Sequence, residues 1–209
     1  MKGFVGVLNY GMGNLKSVLN ALEYIGENGC LVEKPEDFEL CSRLIIPGVG
    51  AYSEAMKNIR FKGFETPIRT HVSKGRPLLG ICLGMQLLAN EGDENIRTKG
   101  LGLVPGRVEK LNVSLHIPHV GWNNITHKRS HQLFDGVHKD VDYYFVHSYY
   151  FNAACADNVL ATVNYERDIP CSVTNGGCVV GVQFHPKKSQ KSGLKILQNF
   201  CNWDGKSLC

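Results

Sequence analysis

The sequence has no Cys-x-x-Cys pair, and none of its 8 cysteines stands with histidine at zinc-binding spacing. A zinc ribbon and a thioredoxin-like dithiol are thereby excluded as the organising feature. No run approaches the ~20 apolar residues that a membrane span needs. The longest apolar stretch, residues 77–89, is short and interrupted by Gly80, Gly84 and Gln86. The apolar piece near the start, Phe4 to Leu8, is too short for a signal-peptide core. A cytoplasmic location is expected, with most cysteines acting as small buried hydrophobes. An excess of one charge is also lacking: 23 Lys and Arg face 19 Asp and Glu, a net +4. This argues against a nucleic-acid partner and leaves an anionic small molecule or an acidic protein surface open. Repeats, low-complexity runs and linkers are missing, so residues 1–209 are expected to form a single domain.

What is present is ordinary for a globular chain. Of the 209 residues, 43% are hydrophobic and 20% charged, enough to bury a core. Short apolar runs alternate with helical periodicity. Phe4 to Leu8 reads as a buried strand. Asn14 reads as an N-cap, and Leu15, Val18, Leu19, Leu22 and Ile25 share one helical face, with Gly26 or Gly29 ending it. Leu44 to Ile46 and Leu78 to Ile81 are further strands. Ala51, Ala55 and Ile59 suggest a second amphipathic helix, and the segment after Cys82 also reads as helical. This alternation predicts an α/β fold around a mostly parallel sheet flanked by helices. The C-terminal half reads differently. Val108 to Leu111, Tyr143 to Tyr150, Val159 to Val163, Ser172 to Thr174 and Val179 to Phe184 look like strands. Asn175-Gly176-Gly177 is a hairpin signal, so antiparallel strands are expected there. A last helix spans about Gly193 to Cys201. Glu91 to Lys99 is charged and glycine-bearing, and reads as a mobile loop.

Gly80-Ile81-Cys82-Leu83-Gly84 carries a nucleophile between a strand and a helix. Two glycines permit a tight turn that lifts the side chain above the strand end. The helix start behind it favours a thiolate. The competing reading is a core cysteine between incidental glycines. His185 follows the apolar run 179–184 at the C-terminal end of a strand, where α/β folds assemble their sites. It is the candidate base for Cys82. Pro47-Gly48-Val49-Gly50 also follows a strand, and can aim a backbone N–H at a developing oxyanion.

Together these passages resemble the glutaminase subunits of imidazole glycerol phosphate synthase, within the class I glutamine amidotransferases. The resemblance rests on 9–15, 47–50, 80–88, Pro118-His119-Val120-Gly121-Trp122-Asn123, 144–149 and Gly181-Val182-Gln183-Phe184-His185-Pro186, in the expected order. It implies that Cys82 attacks the side-chain amide of L-glutamine while His185 passes a proton to the leaving ammonia. It implies an oxyanion hole from the Leu83 N–H with Val49 or Gly50. Gln86, Glu94, His147, Ser148 and Tyr149 would bind glutamine, although Gly92-Asp93-Glu94 departs from the usual Ser-Glu-Glu. The implied partner is a (β/α)₈-barrel cyclase forming a heterodimer, met by Met12, Asn14, Trp122, Asn123, Tyr144 and Lys188. No cofactor or metal is implied. The ammonia would reach the cyclase through its barrel, for imidazole glycerol phosphate and aminoimidazole carboxamide ribotide formation in histidine biosynthesis.

One position breaks the pattern. The family reads His-Pro-Glu-Lys-Ser where this chain reads His185-Pro186-Lys187-Lys188-Ser189. Lys187 therefore stands where the triad glutamate belongs, and is expected to be non-functional there. Lysine offers three donors and no acceptor, and near the ring it would disfavour the imidazolium. Reduced activity is expected. The alternatives are a paralogous glutaminase serving a sugar-amidinating enzyme, a catalytically weak regulatory subunit, and a cysteine esterase or peptidase sharing the elbow.

Overall fold

The computed structural model describes residues 3–206; Cys209 lies outside them. In chain order the elements are β1 (Phe4–Leu8), α1 (Leu15–Tyr24), β2 (Gly29–Val32), β3 (Cys41–Ile46), α2 (Tyr52–Phe61), α3 (Glu65–Ser73), β4 (Leu78–Ile81) and α4 (Leu83–Gln86). There follow β5 (Glu91–Gly92), β6 (Thr98–Lys99), β7 (Gly106–Lys110), β8 (His119–His127), β9 (Asp142–His147) and β10 (Tyr149–Ala153). The chain closes with β11 (Val159–Tyr165), β12 (Arg167–Thr174), β13 (Val179–Val182) and α5 (Gln190–Asn202).

A nine-stranded sheet runs β2-β1-β3-β4-β13-β12-β11-β8-β9. The ladders from β2 to β13 are parallel, and those from β13 to β9 are antiparallel. The α/β class and its antiparallel C-terminal strands are as read from the sequence. β4 and β13 are buried along their whole length, which is why they read as unbroken apolar runs. Helices cover both faces. α1 and α5 pack over one core with Val18, Leu22, Ile196 and Phe200. α2, α3 and α4 pack over the other with Ala55, Met56, Ile59 and Ile68. Asn14 caps α1, its Oδ1 accepting the Ser17 N–H at 3.1 Å. Gly26, at φ +78°, ends the turn that follows. Gly29 instead opens β2, a strand whose alternating exposure gave no long apolar run.

Two further expectations are corrected. Tyr143 to Tyr150 is two strands, not one: it breaks at Ser148, with β9 in the large sheet and β10 in a second sheet ordered β10-β7-β5-β6. Glu91 to Lys99 is not a free loop. Its ends pair as β5 and β6, and Arg97 donates to both Glu91 oxygens at 2.6 and 2.9 Å. The helix expected after Cys82 is present as α4, and it holds to a single turn because Leu87 and Leu88 are drawn into the core and their carbonyls accept the N–H groups of Leu101 and Leu103.

Candidate active site

The register of the central ladder sets Val182 beside Ile81, so Gln183 and Cys82 leave adjacent strand ends together. The Cys82 N–H donates to the Val182 carbonyl at 2.8 Å. Cys82 itself adopts φ +55°, ψ −113°, a conformation that side chains rarely take. The strain therefore lies in the cysteine and not in its glycines. Those are needed for close approach: a Cβ on Gly84 would sit 1.7 Å from the Ile46 carbonyl oxygen, and one on Gly80 would sit 2.5 Å from that of Gly84.

A cavity of about 520 Å³ opens above this turn. It is lined by Cys82, Leu83, Gln86, Glu94, His147, Ser148, Tyr149 and His185, with Val49 and Gly50 at one side. The break at Ser148 turns His147 and Tyr149 toward it. Pro47-Gly48-Val49-Gly50 is anchored by the Tyr10 hydroxyl, which donates to the Pro47 carbonyl at 2.6 Å. Gly50 has φ +109° and lies against the Met12 methyl. Glu94 caps α2, accepting the Tyr52 N–H at 2.7 Å on one oxygen.

Cys82 and His185 are both neutral at rest. Burial pushes the Cys82 thiol up to about 11, against the opposing pull of the Leu83 N–H, the Gln183 amide and Lys188. The thiolate expected from the helix start is thus outweighed: α4 has one turn, too short for a strong dipole. Burial, then the Lys188 ammonium, holds His185 down at about 4. Lys188 is thus a cation that disfavours the protonated ring. Among the described residues, His185 Nε2 is buried without a hydrogen-bond partner. Lys187 is absent from the lining of this cavity and lines a neighbouring one of about 260 Å³ together with His185, Asn14, Ser17 and Leu197.

The residues expected at a partner surface divide. Trp122, 46% exposed, packs edge-on against Tyr144 at 5.7 Å, and the Lys188 ammonium sits 4.9 Å over the Tyr144 ring. Asn123 lies on the opposite face of β8, half-buried, with its amide bonded inward to His119. Asn14 is engaged as the α1 cap.

Two residues near the cavity were missed as individuals. Gln183, fully buried, donates from Nε2 to Cys82 Sγ at 3.7 Å and accepts Gln86 Nε2 on Oε1 at 3.0 Å. Its signal was a lone polar residue in the apolar run 179–184. His119 bonds His147 from the neighbouring strand, a pairing across 28 positions with no local signal.

A family model described as glutamine amidotransferase class-I matches residues 7–203. The chain is 45% identical over 196 residues to the imidazole glycerol phosphate synthase subunit HisH of Methanosarcina barkeri, covering 93% of this chain and 96% of that one. It is 46% identical over 202 residues to the HisH subunit of Geobacillus kaustophilus, covering 94% and 95%. A crystal structure of a glutamine amidotransferase superposes with a TM-score of 0.77 at 26% identity, covering 97% of this chain and 100% of that one.

Proposed function

The chain belongs to the class-I glutamine amidotransferases, among the HisH subunits of imidazole glycerol phosphate synthase, and on that premise we propose how its cavity hydrolyses L-glutamine to glutamate and ammonia. The observation that carries the reading is the strained Cys82 sharing one cavity with His185, Gln86 and Glu94.

The thiol and imidazole start neutral, so attack and proton removal are coupled. His185 takes the Cys82 proton as sulfur bonds to the amide carbon. The oxyanion that develops is held by the Leu83 N–H, which in the resting site points at sulfur, and by an N–H of the Val49-Gly50 loop. His185 returns the proton to nitrogen, the C–N bond breaks, and ammonia leaves a glutamyl thioester. Water, activated by the same ring, releases glutamate. The free Glu94 oxygen and Tyr149 hold the substrate's ammonium end, and Gln86, Ser148 and His147 wall its other side.

The surface of Trp122, Tyr144 and Lys188 supports docking of a (β/α)₈-barrel cyclase that receives the ammonia, with Met12 relaying contact to the Gly50 loop. Lys187 in place of the triad glutamate makes hydrolysis slow, because no carboxylate orients His185 or stabilises its protonated form. The test is glutamate release from L-glutamine with the cyclase and its ligand present. Release that Cys82→Ala abolishes is expected; release unchanged in that variant would overturn the reading.

A further inference from the structure

His119 lies on β8, 1% exposed, and its register partner on β9 is His147, 6% exposed. Its ring is stacked between Tyr165 at 4.0 Å and Phe145 at 5.0 Å, which fixes its plane. His119 Nδ1 is 3.0 Å from His147 Nε2. His147 Nδ1 is 2.8 Å from the Tyr149 carbonyl oxygen, and His119 Nε2 is 2.7 Å from the Asn123 amide nitrogen.

These contacts admit one set of proton positions for neutral rings. A carbonyl oxygen only accepts, so His147 Nδ1 carries a hydrogen and donates to Tyr149. His147 Nε2 is then an acceptor, so His119 Nδ1 carries a hydrogen and donates to it. His119 Nε2 is in turn an acceptor and receives the Asn123 N–H. Burial lowers the pKa of both rings, which keeps them neutral near pH 7.

The chain of bonds continues beyond the rings. The Tyr149 carbonyl also accepts from Gln86 Nε2 at 3.0 Å. The same nitrogen donates to Gln183 Oε1 at 3.0 Å, and Gln183 Nε2 donates to Cys82 Sγ at 3.7 Å. Each link sets the orientation of the next, down to which end of the Gln183 amide faces sulfur.

We propose that His119 is a positioning residue for Cys82, acting through His147, the Tyr149 carbonyl, Gln86 and Gln183. Without its Nδ1–H, His147 can move its proton to Nε2. Its Nδ1 lone pair then opposes the Tyr149 carbonyl, and that carbonyl no longer holds Gln86 in place. The Gln183 amide loses its anchor and the sulfur loses its donor. The proposal deepens the glutaminase reading and rests on it for its catalytic meaning, while its geometry stands apart from turnover.

The test uses the full chain without turnover. Long-range proton–nitrogen NMR of the ¹⁵N-labelled protein reads the two tautomers, and iodoacetamide alkylation followed by mass spectrometry reads Cys82 alone. In the unmodified chain both rings are expected as Nδ1–H. His119→Phe keeps the aromatic stack and removes the donor. It is expected to release His147 from that single form and slow Cys82 alkylation about threefold to tenfold. His119→Asn places an amide N–H near the former Nδ1 and is expected to restore both readouts. An Nε2–H form of either ring in the unmodified chain would overturn the proposal, even if the Phe variant failed to fold. So would a Phe variant that left Cys82 reactivity unchanged, or an Asn variant as slow as it. Absence of glutamate release with intact tautomers and His119-dependent alkylation would count against the glutaminase reading alone.

Discussion

Gln183 directs its amide nitrogen at the Cys82 sulfur, 3.7 Å away, from the strand hydrogen-bonded to the one that ends in the nucleophile. That donor opposes the effect of burial on the thiol. Gln183→Leu keeps the volume and removes it. The thiol pKa is expected to rise further, slowing iodoacetamide alkylation of Cys82 about fivefold at about pH 8, the value of roughly 1 kcal/mol. Alkylation at the unmodified rate would show that this bond does not tune the sulfur.

His185 feels burial and a lysine, and among the described residues no carboxylate is seen to offset them. Lys187→Glu supplies an acceptor beside the imidazolium that forms during attack. Glutamate release with the cyclase and its ligand is expected to rise roughly 10² to 10⁴-fold, the scale of losing an orienting acid in a serine protease tempered by the stronger nucleophilicity of sulfur. A gain below about threefold would mean that this carboxylate does not limit the reaction.

His71 and His147 are buried neutral, their pKa values pushed down from 6.5 to about 4 chiefly by desolvation. Unfolding frees each ring to take up a proton near 6.5, so acid favours the unfolded chain. Their contribution is intact above about pH 6.5, falls as pH drops to about 4, and totals up to about 3 kcal/mol for each ring. Urea midpoints should decline over that window. His71→Leu should flatten the decline, and an unchanged slope would remove His71 from the account.

Gly84 packs against β3 so closely that an added methyl overlaps the Ile46 carbonyl. Gly84→Ala is expected to cost more than about 3 kcal/mol, because only backbone movement relieves the clash. Thermal unfolding, or loss of soluble protein, measures this. A melting temperature within a few degrees of the unmodified chain's would show that α4 can shift freely.

Much of the fold was legible because its central strands are buried on both faces. Such strands announce themselves as apolar runs, as Leu78 to Ile81 and Val179 to Val182 do. β2 and β8 were not legible, since one face of each is exposed and their composition is mixed. The break at Ser148 was invisible for another reason: β9 and β10 are both strand-forming, and only their separate sheets divide them.

By itself the sequence determined the nucleophile turn, the His185 strand end, the order of the motifs and the lysine at 187, because each is a local pattern. The tertiary structure decided what those groups experience. It decided that burial outweighs the single-turn helix at Cys82, that the Lys188 ammonium acts on His185, and that Asn123 turns inward to His119 while Trp122 stays outside. Desolvation and hydrogen-bond pairing depend on which residues meet across strands far apart in the chain, and no local pattern carries that information.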